Sequence, residues 1–278
     1  MTPTESAPAS AAPSPAVSVV IPALNEEATV AHVVAACLSS DALAGAATGT
    51  GAATGTGAGE VLVIDSDSTD ATARVAAEAG ATVVNWRDVD PREPVPGKGE
   101  ALWRGVRAVR GDVVVFVDAD VTNVEPWWID ALVAPFADGA TEAQPRIDLV
   151  KATYTRDEGA HGRGGGRVTE LTAKPLLRAF FPELGHIDQP LAGEYAIRRS
   201  TALELPFVAG YGVDVGLLID VAANGASISI AQTDLGHRTH RNRPLAELAP
   251  MADVVARTIL NRAGLGAEVD QRPPWTAS

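Results

Sequence analysis

The chain has one cysteine, Cys37, in 278 residues. No internal disulfide can form, and a single thiol fits a reducing cytosol. Positive charge is also scarce: 22 Lys and Arg stand against 35 Asp and Glu, a formal net charge of −13. Such a chain lacks the cationic footprint that a phosphate backbone requires, so nucleic acid is not an expected partner. No apolar run approaches the ~18 residues that span a bilayer. Residues 1–16 contain no Lys or Arg, so they lack the basic start of a signal peptide. They are rich in Ala, Pro, Ser and Thr and read as a disordered tail. No membrane partner is expected, and the expected localisation is cytoplasmic. A Walker motif is missing too. Gly97-Lys98 has neither the glycine spacing nor the following Ser or Thr.

What is present is globular: 46% hydrophobic and 21% charged residues, enough for one large core or a core with an annex. The centre of the pattern is Val113-Val114-Val115-Phe116-Val117-Asp118-Ala119-Asp120. An unbroken apolar run reads as a strand buried on both faces. It ends in two carboxylates at i and i+2, on the sheet edge where open α/β sheets bind ligands. Such a pair suits Mg²⁺ or Mn²⁺ shared with phosphates; the plain alternative is a turn capped by Asp.

Similar units precede it. Val17–Ile21 is a strand stopped by Pro22, and Asn25 is the expected N-cap of a helix with Glu26 and Glu27 in its first turn. Cys37 falls within that helix and reads as a buried structural thiol. Residues 39–58 form a low-complexity loop. Val61–Ile64 is a second strand, followed by Asp65-Ser66-Asp67-Ser68-Thr69-Asp70, more acceptors than capping needs. Thr82–Trp86 is a third strand. Lys98 stands in a glycine-flexed loop at a helix start, either as a solvated surface lysine or as a partner for a phosphate or base carbonyl. Alternation of strands and helices predicts an α/β fold with a mainly parallel sheet flanked by helices.

Past residue 155 the composition changes. Gly164-Gly165-Gly166-Arg167-Val168-Thr169 leads into a helix through Leu171, Leu176 and Leu177, a pattern for anion binding or for a loop with a Thr cap. Gln189–Tyr195 and Ala209–Asp214 are glycine- and aromatic-containing loops. Asp214 heads a helix, where pairing with its dipole would explain it. His237-Arg238-Thr239-His240-Arg241-Asn242-Arg243 is a basic island in an acidic chain and suggests a phosphorylated ligand. His240 reads either as a structural histidine or as a metal ligand. An amphipathic helix spans residues 246–263, and the last dozen residues read as a loose tail.

The order of these motifs resembles the family-2-like glycosyltransferases of GT-A (Rossmann-like) fold. Gly97–Trp103, Gly164–Leu171, Gly210–Asp214 and His240–Leu245 narrow the resemblance to the glucosyl-3-phosphoglycerate synthases, retaining enzymes that use UDP-glucose and 3-phosphoglycerate. The resemblance runs from about Val17 to Ala263. It implies a nucleotide-sugar-binding half over 17–155 and an acceptor-binding, metal-completing half over 156–265, with a tail over 266–278. It implies that Pro22, Ala23, Leu24, Asn25, Glu26, Ser66 and Lys98 hold the uridine, and that Asp118 and Ala119 meet the ribose and diphosphate. Leu191, Tyr211, Gly212, Val213 and Asp214 would surround the donor glucose; Arg238, Thr239, Arg241 and Arg243 would lie along the diphosphate. Asp120 and His240 would ligate Mg²⁺ or Mn²⁺. Gly166, Arg167, Val168, Thr169 and Asn242 would grip the acceptor. Asp214 and Arg241 are the candidate catalytic residues, and a homodimer is implied. The chain departs from the family pattern at Asp214, where Glu is expected, and at Ala192, where Gly is expected. The competing readings are a GDP-mannose-dependent mannosyl-3-phosphoglycerate synthase, a nucleotide-sugar-binding protein without turnover, and a polyprenyl-phosphate transferase.

Overall fold

Strands that are apolar at every residue need cover on both faces. The computed structural model, which describes residues 15–44, 59–137, 146–155, 166–224, 230–239 and 245–277, provides it. The strands are β1 (Val17–Ala23), β2 (Glu60–Asp65), β3 (Thr82–Asn85), β4 (Val113–Phe116), β5 (Leu149–Thr155), β6 (Tyr195–Arg198), β7 (Phe207–Val208), β8 (Ile230–His237) and β9 (Gln271–Arg272). Seven form one sheet in the order β3-β2-β1-β4-β6-β5-β8. β3, β2, β1 and β4 pair in parallel, β6 runs antiparallel to β4 and β5, and β8 rejoins β5 in parallel. The expected mainly parallel α/β sheet is therefore present, with β6 reversed.

The helices are α1 (Val30–Leu38), α2 (Asp41–Ala44), α3 (Thr72–Glu78), α4 (Trp86–Val89), α5 (Lys98–Ala108), α6 (Pro126–Val133), α7 (Lys174–Phe180), α8 (Arg199–Leu203), α9 (Val213–Asn224) and α10 (Leu245–Arg262). Alternate strand residues enter two cores. Val19, Ile21, Val61, Val63, Val113 and Val115 pack with Val33, Cys37, Ile129 and Leu132 on one face. Val20, Leu62, Ile64, Val114 and Phe116 pack with Leu102, Val106, Leu217 and Ile259 on the other. Cys37 is wholly buried, as expected, and burial pushes its thiol up to about 12. Strand order reverses on either side of β1, so the ends of β1, β2 and β4 share one edge at a topological switch point.

Several expectations are corrected. Helix α1 begins at Val30, not beside Asn25, because residues 25–27 are committed to another loop. Of the low-complexity tract, Ser39 caps the end of α1, residues 41–44 form α2, and residues 45–58 lie outside the described residues. Trp86 leaves β3 to start α4. Leu171 is 77% exposed: a π-helical turn over Thr169–Ala173 rotates it off the core before α7 begins.

The carboxy-terminal stretch, expected as a loose tail, is docked. β9 pairs with β7, and Trp275 stacks on Trp103 at 3.7 Å with 11° between the rings. The two indoles also exchange anchorage: Trp103 Nε1 donates to Pro273 O and Trp275 Nε1 donates to Trp103 O, each at 2.9 Å. Beneath them lies a buried charge knot. Arg104 meets Glu100 at 2.7 Å and donates to the carbonyls of Trp86, Asp90 and Arg92, while Arg272 meets the other oxygen of Glu100 at 2.6 Å. This knot fixes α5, the helix that begins at Lys98. Removing one member of a buried ion pair costs about 3–5 kcal/mol. Arg104→Met is expected to lose stability in that range in urea unfolding; a loss below about 1 kcal/mol would show that Arg272 alone sustains Glu100.

Candidate active site

A cavity of about 880 Å³ opens over the shared strand edge. Its floor is built by two interlocked loops. Asn25 and Asp67 both adopt left-handed backbone, with φ of 58° and 63°, which costs a residue that is not glycine and is held by its partners. Asn25 N–H donates to Ser68 Oγ at 3.0 Å, and Thr69 N–H donates back to Asn25 Oδ1 at 2.8 Å. Glu26 N–H donates to Thr72 Oγ1 at 2.8 Å, and Ala71 N–H to Glu27 Oε2 at 2.9 Å. Part of the surplus of acceptors in residues 65–70 is thereby explained: Ser68 and Asp70 brace the first loop, Asp70 also accepts from Thr72 N–H, and Asp67 holds Asn85 and Arg87.

Lys98 enters from the side. Gly97, at φ 126°, lies so close to Gly210 that a Cβ on Gly97 would stand 2.5 Å from the Gly210 Cα. That contact seats the start of α5 against the loop carrying Tyr211 and Asp214. Lys98 is not a surface lysine. Its ammonium sits 2.7 Å from Asp118 and 3.4 Å from Asp214. Burial alone would lower its pKa; the two carboxylates outweigh that and hold it above the ordinary lysine value. Asp118 is shared: Arg238, arriving from β8, reaches it at 3.3 Å and Glu194 at 2.9 Å. Asp120 stands 3.9 Å from the same guanidinium. Asp214 is pushed up by burial and pulled back by Lys98 and Lys151.

The structure brings most of the candidate residues together. Pro22, Ala23, Leu24, Glu26, Ser66, Lys98, Asp118, Ala119, Asp120 and Leu191 line the cavity. So do Gly166, Arg167, Val168, Thr169, Tyr211, Asp214 and Arg238. Four candidates sit elsewhere. Asn25 braces the loops, Gly212 and Val213 are packed inside, and Thr239 N–H donates to Asn123 Oδ1. His240, Arg241, Asn242 and Arg243 lie outside the described residues.

Sequence reading missed part of the wall. Trp86, Leu248, Met251 and Val255 give it an apolar side. Their helical and strand patterns carry no signal that separates cavity wall from core. Gly193 was also missed, and only three dimensions reveal its role: a Cβ there would lie 2.0 Å from Asp118 Oδ2. Lys151 was passed over although a lysine within Leu149-Val150-Lys151-Ala152 is an anomaly in a buried strand. It is fully buried, directly behind the wall.

The Gly193 contact yields a test. Gly193→Ala forces Asp118 off a position fixed by two cations. Overpacking of this kind costs about 1–3 kcal/mol. Thermal unfolding should register that loss, and a crystal structure of the variant should show Asp118 moved away from Lys98. An unmoved carboxylate at unchanged stability would contradict the close packing.

The sequence profile of glycosyl transferase family 2 matches residues 18–200. Glucosyl-3-phosphoglycerate synthase from Mycobacterium tuberculosis (strain ATCC 25618 / H37Rv) is 46% identical over 257 residues, covering 90% of this chain and 74% of that protein. The enzyme of that name from Petrotoga mobilis is 40% identical over 251 residues, covering 88% and 73%. The crystal structure of the M. tuberculosis enzyme in complex with Mn²⁺, UDP-glucose and phosphoglyceric acid superposes with a TM-score of 0.79 at 42% identity, over 95% of this chain and 91% of that one. On this similarity, and on the strand-edge cavity that carries the motifs, the chain belongs to glycosyl transferase family 2, among the glucosyl-3-phosphoglycerate synthases.

Proposed function

We propose that this protein transfers glucose from UDP-glucose to the 2-hydroxyl of 3-phosphoglycerate with retention, giving glucosyl-3-phosphoglycerate. The observation that carries the reading is the single cavity wall shared by the Pro22–Glu26 loop, Asp118–Asp120 and the Gly166–Thr169 segment. One space thus serves a nucleotide sugar and an anionic acceptor. On this reading Pro22, Ala23, Leu24, Glu26, Ser66 and Lys98 hold the uridine, and Asp118 and Ala119 face the ribose. Leu191, Tyr211 and Asp214 surround the glucose, and Gly166, Arg167 and Thr169 receive the acceptor.

The donor set fits a divalent cation. Asp120 lies on the cavity wall, and hard carboxylate oxygens suit Mg²⁺ or Mn²⁺. Asp120 and His240 would hold the ion, which when bound neutralises charge on the UDP leaving group. Among the described residues, no three His, Cys, Asp or Glu converge as a complete metal site, so the proposed set depends on His240.

The chain's own residues account for the rest. Arg238 and Lys98 hold Asp118 so that the strand end keeps one geometry for the diphosphate. Asp214 on the cavity wall and the buried Glu194 are each tied to a cation, which weakens them as nucleophiles. We therefore favour displacement on the face that UDP leaves, with a UDP phosphate oxygen taking the acceptor's proton. The buried lone thiol supports a cytoplasmic setting, and a homodimer belongs to the same reading. No described helix is long and apolar enough to cross a membrane, in line with small soluble substrates.

The test is UDP release from UDP-glucose with and without 3-phosphoglycerate in Mg²⁺ or Mn²⁺. Release that depends on the acceptor, and is lost in a folded Asp120→Ala variant, is the expected result. Preferential release of GDP from GDP-mannose would transfer the assignment to a mannosyl enzyme.

A further inference from the structure

Lys151 has no place in the reaction as described, yet its burial demands a reason. It stands in the middle of β5, at 0% exposure, among the largest fully buried side chains. A buried ammonium is unfavourable unless charge and hydrogen bonds offset it. Its ammonium donates to Ala192 O at 2.7 Å and lies 4.2 Å from the centre of the Tyr195 ring. Ala192 sits between Leu191 and Gly193, both on the cavity wall. The lysine therefore ties down, from behind, the turn that forms this part of the wall.

Its charge acts on the same region. Lys98, Lys151 and Arg238 face Asp118, Glu194 and Asp214, and Asp120 stands 3.9 Å from Arg238, three cations against four anions. Asp214 lines the cavity, is 6% exposed, and its Oδ2 meets Lys98. A carboxylate on the cavity wall beside a lysine is placed to accept from a hydroxyl of the bound molecule. Burial raises its pKa, Lys98 and then Lys151 pull it back, and Asp118 pushes it further up. The Tyr195 hydroxyl lies in the same field and stays protonated, pushed up by burial and then by Asp214. Lys98 is shared between Asp118 and Asp214, and Lys151 adds a second cation in the field of Asp214.

We propose that Lys151 is a positioning residue of the donor-sugar subsite: it anchors the Leu191–Gly193 turn and supplies the positive charge that keeps Asp214 an acceptor for a sugar hydroxyl. It touches no substrate, and it acts through Asp214 and the turn. Burial brings Lys151 itself down to about 8, drawn back up by Asp214, Glu194 and Asp118 and pressed further down by Lys98, so this support weakens as the pH rises past that value. The inference rests on the glucose-transfer reading for the identity of the sugar.

The experiment compares the full chain with Lys151→Met and Lys151→Gln. Methionine removes the charge and the donor; glutamine removes the charge and keeps an N–H for Ala192 O. UDP binding, measured by calorimetry with Mn²⁺, reports the uridine and diphosphate elements and is expected to stay within about twofold of the parent. kcat/KM for UDP-glucose is expected to fall about tenfold or more in both variants. The acid limb of its pH profile is expected to rise by about one unit, since Asp214 loses a cation. Activity of Lys151→Gln within about threefold of the parent, with an unmoved acid limb, overturns the proposal. So does a proportional loss of UDP affinity, or failure of both variants to fold, because either makes Lys151 merely structural. If the parent protein itself releases no UDP from UDP-glucose and 3-phosphoglycerate, the functional reading has failed instead.

Discussion

The Asp118 carboxylate is the point on which the site depends. It lies two residues past the fully buried β4, receives Lys98 from the start of α5 at 2.7 Å and Arg238 from just past β8 at 3.3 Å, and leaves no room for a side chain at residue 193. These partners come from positions 98, 118, 193 and 238, so their convergence is a property of the sheet order. β1 and β4 must be neighbours to place Asp118 beside the first loop, and β6 must run backwards to bring Gly193 and Glu194 in behind it. Charges this deep are tolerated because each carboxylate has a cation and each cation more than one carboxylate or carbonyl.

The same logic recurs outside the cavity. Glu100, Arg104 and Arg272 form a second buried knot that ties the carboxy-terminal stretch to α5. Through α5 the two knots are one mechanical unit. The Trp103–Trp275 stack fixes one stretch of the helix, and Gly97 against Gly210 fixes its beginning, so Lys98 has little freedom in where it points. Pre-set cations of this kind need no reorganisation when a charged ligand arrives.

Much of this was legible in the sequence, and the reasons are local. Val113–Val117 followed by Asp118-Ala119-Asp120 states its burial and its edge position outright, and strand–helix alternation states the sheet type. Where several principles competed, the sequence misled. Asn25 and Glu26 look like a helix start, but their partners are Ser68, Thr69 and Thr72, more than 40 positions away. Leu171 satisfies an α-helical spacing that a π-helical turn shifts out of phase. The docked carboxy terminus was illegible because a two-residue strand and a single tryptophan leave no periodicity. Lys151 was legible in part: a lysine inside an apolar strand is a signal, but its meaning waits on knowing that Ala192 and Asp214 lie in front of it.

The central claim is that the strand-end carboxylates, held by Lys98 and Arg238, serve a nucleotide diphosphate together with a divalent cation. Calorimetric titration with UDP in excess Mn²⁺, repeated in a chelator, tests this most directly. The account predicts that affinity falls at least about tenfold, or 1.4 kcal/mol, when the metal is withdrawn. Equal affinity with and without metal would contradict it.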